Sequence, residues 1–344
     1  MKILITGSAG FIGSHLVEEA LARGLDTWAG VRKSSKRTFL ADERIRFFEL
    51  DFAHAEKMEE QLQVAKREFG GWDYIIHAAG VTKCLHREDF SGVNYAGTRL
   101  FVETLRKLDM VPQRFVFVSS LSVYGAIREE VSPKATAPWH YLPILDTDTP
   151  CPNTAYGKSK LEAEQYLATL ADFPYIILRP TGVYGPRERD YFLMAKSIQQ
   201  HSDFAVGYRP QEITFIYVKD FVQAAFAALT RGTLHRGYFL SDGAVYNSKN
   251  FSDLLRKELG NPWWIRITAP LWVLRVICAV MEMVSHVTGK MTALNGDKYN
   301  ILKQRNWQCD IEPARRELGY VPEYPLARGV KETVAWYKKE GWIK

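Results

Sequence analysis

The first 180 residues alternate between short, densely apolar runs and longer segments whose apolar positions recur every three or four residues. KILIT (2–6) is a continuous apolar run that stops at glycines, and a helical pattern follows over 12–23, closing at Gly24. DTWAGV (26–31) predicts a second strand, RIRFFEL (44–50) a third, and EKMEEQLQVAKREF (56–69) an amphipathic helix. DYIIHAAG (73–80) predicts a strand that runs into small residues, 94–108 a helix, and RFVFVSS (114–120) another strand. TAYGKSKLEAEQYLATLA (154–171) reads as helix ending before Pro174, and YIILRP (175–180) as strand. Short β-rich runs separated by helices of ten or more residues predict an α/β fold, a doubly wound parallel sheet joined by crossover helices.

After residue 180 the alternation weakens. FIYVKDFVQAAFAAL (215–229) still reads as a strand end feeding a helix, and GYFLSD (237–242) as a strand. The rest is richer in Trp, Pro and helical pattern, which predicts a smaller, mainly helical C-terminal substrate lobe. The expected division is 1–179 plus 213–245 for the first domain and 180–212 plus 246–344 for the lobe. Within the lobe, PLWVLRVICAVMEMVSHVTG (270–289) is apolar except for Arg275, Glu282, Ser285 and His286, which share one helical stripe. An Arg and a Glu in so short a run argue against a membrane-spanning helix. The favoured expectation is a lobe helix buried on most sides; the alternative is a helix lying on a membrane.

Composition changes this picture little. The 344 residues are 47% hydrophobic and 24% charged, with formal net charge +6 and no long basic run, so a nucleic-acid partner is not expected. Cys84, Cys151, Cys278 and Cys309 are far apart and lack metal-ligand spacing. They predict reduced thiols in a cytoplasmic protein and no metal site. MKILITG offers no charged leader and no cleavage site, so no signal peptide is expected.

Candidate chemistry begins with TGSAGFIG, where Gly7, Gly10 and Gly13 lie between the first strand and first helix. Glycines there allow a tight turn and close approach of a pyrophosphate, while the helix N-terminus offers free amides and its positive dipole end. That is a Rossmann-type dinucleotide loop, and Phe11 and Ile12 belong to it. The second strand ends in Val31-Arg32-Lys33-Ser34-Ser35-Lys36, with no carboxylate to take ribose hydroxyls. Arg32, with Lys33 beside it, predicts a clamp for a 2′-phosphate and so NADP(H) over NAD(H); a solvated basic loop is the alternative. Asp51, followed by Phe52, stands where an adenine amino group could be accepted, or serves as a helix cap. Ala78, Ala79 and Gly80 leave a strand end bare enough for a coenzyme.

TAYGKSK places Lys160 one helical turn after Tyr156. A second pair at that spacing, Tyr299 and Lys303, lacks a serine-bearing strand before it and reads as a lobe feature. TGSAGFIG, HAAG, VNYAGT (93–98), VSSLSVYG (118–125), AYGKSK and LRPTGVYGP (178–186), in this order, resemble the extended short-chain dehydrogenase/reductase family. The chain is most similar to its dihydroflavonol reductase and 3β-hydroxysteroid dehydrogenase branch, and the resemblance covers about 1–245. It implies Tyr156 as general acid/base, Lys160 as the cation that lowers its pKa and holds the nicotinamide ribose, and Ser120 as donor to the substrate oxygen. It implies further that Asn94 braces the site and that Pro180, Thr181, Gly182 and Val183 lie beside the nicotinamide. Ser119 is included in the expected coenzyme site, although a satisfied loop hydroxyl is the favoured reading for both Ser119 and Ser122.

Sugar dehydratases carry an acidic pair directly after the Ser/Thr position, where this chain has Leu121 and Ser122. Nucleotide-sugar enzymes usually carry an Arg before the FIYV-like strand, where this chain has Thr214. The expectation is therefore hydride transfer to or from a carbonyl or alcohol carbon of a largely apolar small molecule. The alternatives are a nucleotide-sugar epimerase and, from another class, a non-catalytic NADP(H)-sensing protein. The loop 126–153, with Trp139, His140 and Tyr141, is expected to help close the pocket or to be a passive insertion, and Lys83 and Cys84 to line the pocket or lie on the surface. A homodimer through the helix of Tyr156 is implied by the resemblance alone, and peripheral membrane contact follows if 270–289 touches lipid.

Overall fold

A computed structural model describes residues 1–130, 141–289, 292 and 294–343, with His286 described by its backbone alone. The first half follows the predicted alternation: β1 (Lys2–Thr6), α1 (Phe11–Ala22), β2 (Asp26–Val31), β3 (Arg46–Glu49), α2 (Ala55–Phe69) and β4 (Tyr74–His77). The predicted 94–108 helix starts earlier. A short α3 (Glu88–Phe90) runs through a π-helical turn, Ser91–Ala96, into α4 (Gly97–Lys107). Then come β5 (Arg114–Val118), α5 (Ala155–Ala168), β6 (Tyr175–Pro180), β7 (Gly182–Tyr184), α6 (Asp190–Gln199), β8 (Ser202–Val206), β9 (Phe215–Tyr217), α7 (Val218–Ala227) and β10 (Gly237–Leu240). The chain ends in α8 (Asn250–Glu258), β11 (Ile265–Ala269), α9 (Leu271–Thr288), α10 (Gly296–Lys303), α11 (Glu312–Leu318) and α12 (Leu326–Lys339).

Seven strands form one parallel sheet in the order β10-β6-β5-β4-β1-β2-β3. Side chains alternate across it. Ile3 and Ile5 join a core with Leu16 and Val17 of α1 and Phe221 of α7, while Leu4 joins the opposite core with Met58, Leu62, Phe101 and Leu167. Both faces are thus buried, which is why β1 reads as an unbroken apolar run. The strand order reverses between β1 and β4, so their C-terminal ends open a crevice where ligands of such sheets bind.

Three short strands escaped the sequence pattern. β7 pairs with β9, and β8 with β11, each as a separate two-stranded sheet. The lobe is therefore helical with a small sheet at its edge. One expectation is overturned: α9 is not buried on most sides. Its outer stripe, including Trp272, Val276 and Met283, is exposed, and the polar Glu282 and Ser285 turn inward toward α10 and the body. Patterning by polarity assumes a polar face outside, and α9 inverts that rule. No helix among the described residues is long and apolar enough to cross a membrane.

Candidate active site

One cleft of about 1850 Å³ runs from the β1–α1 turn along the C-terminal sheet edge into the lobe. A pocket of about 300–1,000 Å³ suffices for an ordinary small ligand, so this one has room for a dinucleotide and a second molecule.

The glycine loop builds one end. Gly7 has φ +68°, and a Cβ there would sit 2.6 Å from the Ala78 carbonyl oxygen. A Cβ on Gly13 would sit 2.1 Å from the Gly7 carbonyl oxygen, so helix and loop touch backbone to backbone. Gly10 precedes α1 with no side-chain cap and no acidic residue follows in the first turn, leaving the amides of Phe11, Ile12 and Gly13 for an anion. Ser8 donates to the Gly30 carbonyl at 2.9 Å and ties the loop to β2. Arg32 and Lys33 lie exposed on the cleft wall at the end of β2. Asp51 and Phe52 line the neighbouring wall, but the Asp51 carboxylate is engaged by the Ala53 amide at 3.0 Å and by His54 at 2.9 Å. Asp51 is thus tied into the turn ahead of α2, whose N-cap is His54 with no side-chain cap bond, so the helix-cap alternative is not what the structure shows. Ala78, Ala79 and Gly80 form the floor.

The other predicted residues converge near the middle. Tyr156 and Lys160 project from α5, and Ser120 follows β5. The Tyr156 and Ser120 hydroxyls face each other closely enough to interact, and Ser120 Oγ accepts from the Ser122 amide at 3.2 Å. Burial pushes the Tyr156 phenol up to about 12, opposed by the Ser120 hydroxyl. This corrects the expectation that Lys160 holds the phenol low. The Lys160 ammonium donates instead to the Val118 carbonyl at 2.9 Å and lies 4.8 Å from the Phe117 ring centroid. Burial lowers Lys160 to about 8, opposed by the Glu164 carboxylate.

Asn94 is fully buried and lines no part of the cleft. Its side chain clamps Val81 from both sides, accepting from the amide at 2.8 Å and donating to the carbonyl at 3.0 Å, and it donates to Ser159 at 2.9 Å. Ser159 in turn donates to the Tyr156 carbonyl at 2.8 Å, so Asn94 braces the cleft floor against the tyrosine helix. Ser119 reaches the cleft, but its hydroxyl donates to Glu164 at 2.5 Å, as the satisfied-hydroxyl reading had it. Pro180, Thr181, Gly182 and Val183 line the wall after β6. The buried Thr181 hydroxyl has no hydrogen-bond partner among the described residues and so is a donor in want of an acceptor.

Several contributors carry no local signal. Gly157 is one: a Cβ there would lie 2.4 Å from the Ser122 carbonyl oxygen, so its absence lets α5 approach the Ser120 loop. Thr154 accepts from the Gly157 amide at 2.9 Å, and Asp297 of α10 accepts from the Ala155 amide at 2.8 Å. A carboxylate from the lobe thus sits on the N-terminus of the Tyr156 helix, where the dipole favours it. Glu164 is buried in a salt bridge with Arg179 at 2.6 Å. His77 lies beneath the floor, its ring nitrogens bonded to Thr6 at 2.8 Å and Thr98 at 2.9 Å. Thr98 donates its one proton to the Asn94 carbonyl, so it must accept from His77 Nε2–H; Nδ1 is then the acceptor from Thr6.

The lobe half of the cleft is walled by Met194, Phe204, Phe215, Phe251, Ile301 and Trp307. Among the described lining residues Arg32 is the sole guanidinium, and Lys298 lies 3.9 Å from Asp190. Lys83 bridges to Asp190 at 2.5 Å; neither it nor Cys84 lines the cleft. Tyr141 is buried, its amide donating to Glu212 at 2.9 Å, whereas Trp139 and His140 lie outside the described residues. All four cysteines are free thiols.

Residues 3–238 match the model of the NAD dependent epimerase/dehydratase family. The chain is 26% identical over 360 residues to an uncharacterized UDP-glucose epimerase of Bacillus subtilis, with 98% of each chain covered. It is 24% identical to a 3 beta-hydroxysteroid dehydrogenase/Delta 5-->4-isomerase of Mycobacterium tuberculosis, over 98% of this chain and 90% of that one. Among solved structures, the dTDP-glucose 4,6-dehydratase DesIV of Streptomyces venezuelae, with NAD and TYD bound, superposes with a TM-score of 0.78 at 21% identity, covering 100% and 99% of the two chains. A UDP-glucose 4-epimerase of Thermotoga maritima, with UDP-glucose, gives 0.76 at 22% identity and 99% coverage of both.

Proposed function

The chain belongs to the NAD dependent epimerase/dehydratase family of short-chain dehydrogenase/reductase enzymes, and from that premise we propose that it is an NADP(H)-dependent reductase or dehydrogenase of a largely apolar carbonyl or alcohol. A nicotinamide dinucleotide comes with the family; the 2′-phosphate and the substrate class are the proposal. The carrying observation is the hydroxyl pair of Tyr156 and Ser120, set where the dinucleotide half of the cleft meets an apolar half.

The residues present fit such a coenzyme. Uncapped amides after Gly10 suit a diphosphate, Arg32 and Lys33 a 2′-phosphate, and Phe52 and Ala78–Gly80 the adenine side. Lys160 would hold the ribose nearest the reacting ring, and the unpartnered Thr181 hydroxyl suits a polar group in the segment from Pro180 to Val183. When bound, the nicotinamide supplies or accepts the hydride. In the reducing direction Tyr156, protonated well beyond neutrality, gives its proton to the oxygen as negative charge develops there. Ser120 donates a hydrogen bond to the same oxygen, and the apolar wall beside it strengthens both contacts. Leu121 is buried and Ser122 is bonded to Ser120, so the two positions after Ser120 hold no carboxylates for elimination.

NADPH oxidation across a panel of hydrophobic ketones and aldehydes tests the reading. Tyr156→Phe should lower kcat about 10²- to 10⁴-fold while NADPH affinity stays within a fewfold. Undiminished turnover would sink the assignment. A second reading, a nucleotide-sugar epimerase, is favoured by the relatives named as epimerases. It separates cleanly, because an epimerase leaves no net oxidised coenzyme. Tight NADPH binding with no turnover on either class would revive the coenzyme-sensing alternative.

A further inference from the structure

α9 presents its apolar side to the outside. Trp272, Val276, Val280, Met283 and Val287 recur at spacings of four, four, three and four, which places them on one stripe. They are between 47% and 82% exposed. The opposite stripe, Leu274, Cys278 and Ser285, is buried, and α9 packs there on α10. The same inversion continues into the small sheet. Ile265 and Ile267 of β11 point outward with Phe204 of β8, Ile267 and Phe204 being register partners. Arg266 between them turns inward to Asp203 and Asp253. β11 enters α9 directly through Pro270, so helix and sheet form one continuous apolar surface. Contiguous apolar surface of this kind marks an interaction site.

Charge indicates what covers it. From 263 to 305 the sequence holds six basic residues against two carboxylates; Arg266 is paired inward and Lys298 lies by Asp190 in the cleft, and Arg275 is the exposed cation of α9. Both carboxylates are turned into the protein. Glu282 accepts from the Gly296 amide at 3.0 Å and from Arg87 at 3.1 Å, and Asp297 accepts from the Ala155 amide. Arg275 is exposed at the edge of the α9 stripe, and Arg209 is exposed next to the exposed Tyr208. An apolar helical face bordered by the exposed Arg275 and Arg209, with the one acid of α9 turned inward, complements an anionic bilayer surface. Phe204 is both exposed and a lining residue of the cleft, so this surface reaches the rim of the substrate half. A second copy seated here would cover that rim, whereas a bilayer would present apolar molecules to it.

We infer that α9 and the β8–β11 edge form a monotopic docking surface for anionic lipid bilayers, from which the cleft takes its substrate. The inference deepens the apolar-substrate reading and rests on it for its purpose, but its measurement needs no turnover. Purified full-length protein is pelleted with vesicles of phosphatidylcholine alone and of phosphatidylcholine with about one-third phosphatidylglycerol. The wild type should pellet with the anionic vesicles and several-fold less with the neutral ones. Val276→Glu combined with Met283→Glu should lower partitioning on the order of tenfold or more, with unchanged circular dichroism and unchanged NADPH turnover on a water-soluble ketone. Wild type remaining in the supernatant overturns the inference, as does equal pelleting of the variant or equal binding to neutral vesicles. A wild-type dimer in light scattering that the double substitution makes monomeric, without vesicle binding, also overturns it and makes the face an interface between copies. Absent turnover with vesicle binding intact would instead count against the reductase reading alone.

Discussion

At the scale of single residues, the site is a set of groups whose protonation is set by burial. Lys160 is held near 8 by burial against the opposing pull of Glu164, so its charge is present below that pH and lost above it. A cation that positions coenzyme and substrate is useful only while charged. kcat/KM for NADPH, which reports the free enzyme, should therefore fall as pH rises through about 8. A pH–rate profile flat to beyond pH 9 would contradict that role. Arg32 gives a second residue-level expectation. Arg32→Ala should raise KM for NADPH roughly 10- to 100-fold, the loss of one charge-assisted contact, and leave KM for NADH nearly unchanged. Equal effects on the two coenzymes would make Arg32 an ordinary surface charge. The candidate acid–base side chains were legible because each lies inside a short motif. What sets their acidity was not: Ser120 is 36 positions from Tyr156, and the pull on Lys160 comes from a carboxylate already committed to Arg179 and Ser119.

At the scale of elements, the strands of the large sheet were readable because both faces are buried, and each becomes an apolar run between glycine-rich or polar turns. β7, β8 and β11 were not, since three to five residues with one side open give neither a run nor a period. α9 was located to within a residue at either end, yet the expected burial on most sides was not found, because periodicity reports a stripe and not which neighbour it meets. The approach of α5 to the Ser120 loop depends on Gly157. Gly157→Ala would drive a methyl into the Ser122 carbonyl and should cost about 1–3 kcal/mol, with a fall in kcat larger than any change in NADPH affinity. Calorimetry and steady-state kinetics on the variant check both, and a wild-type Tm would show that the loop gives way freely.

At the scale of the whole molecule, stability depends on a histidine placed under the coenzyme floor. Burial, with the charge of Lys160 adding to it, lowers His77 to about 3. The unfolded chain accepts that proton near the ordinary value of 6.5, so this contribution is complete above pH 6.5 and is lost as pH falls toward 3, at about 1.4 kcal/mol per unit. Urea titrations across that range should show the slope, and His77→Gln should flatten it by about one proton while lowering stability overall. The long reach from Asp297 to the first turn of α5 has a wider consequence. Exchanging the last hundred residues between homologues is an obvious way to transplant specificity. In this architecture such a graft also replaces the mooring of the helix that carries Tyr156. A hybrid that inherits a new pocket without a carboxylate at that point should lose turnover on every substrate, its own included.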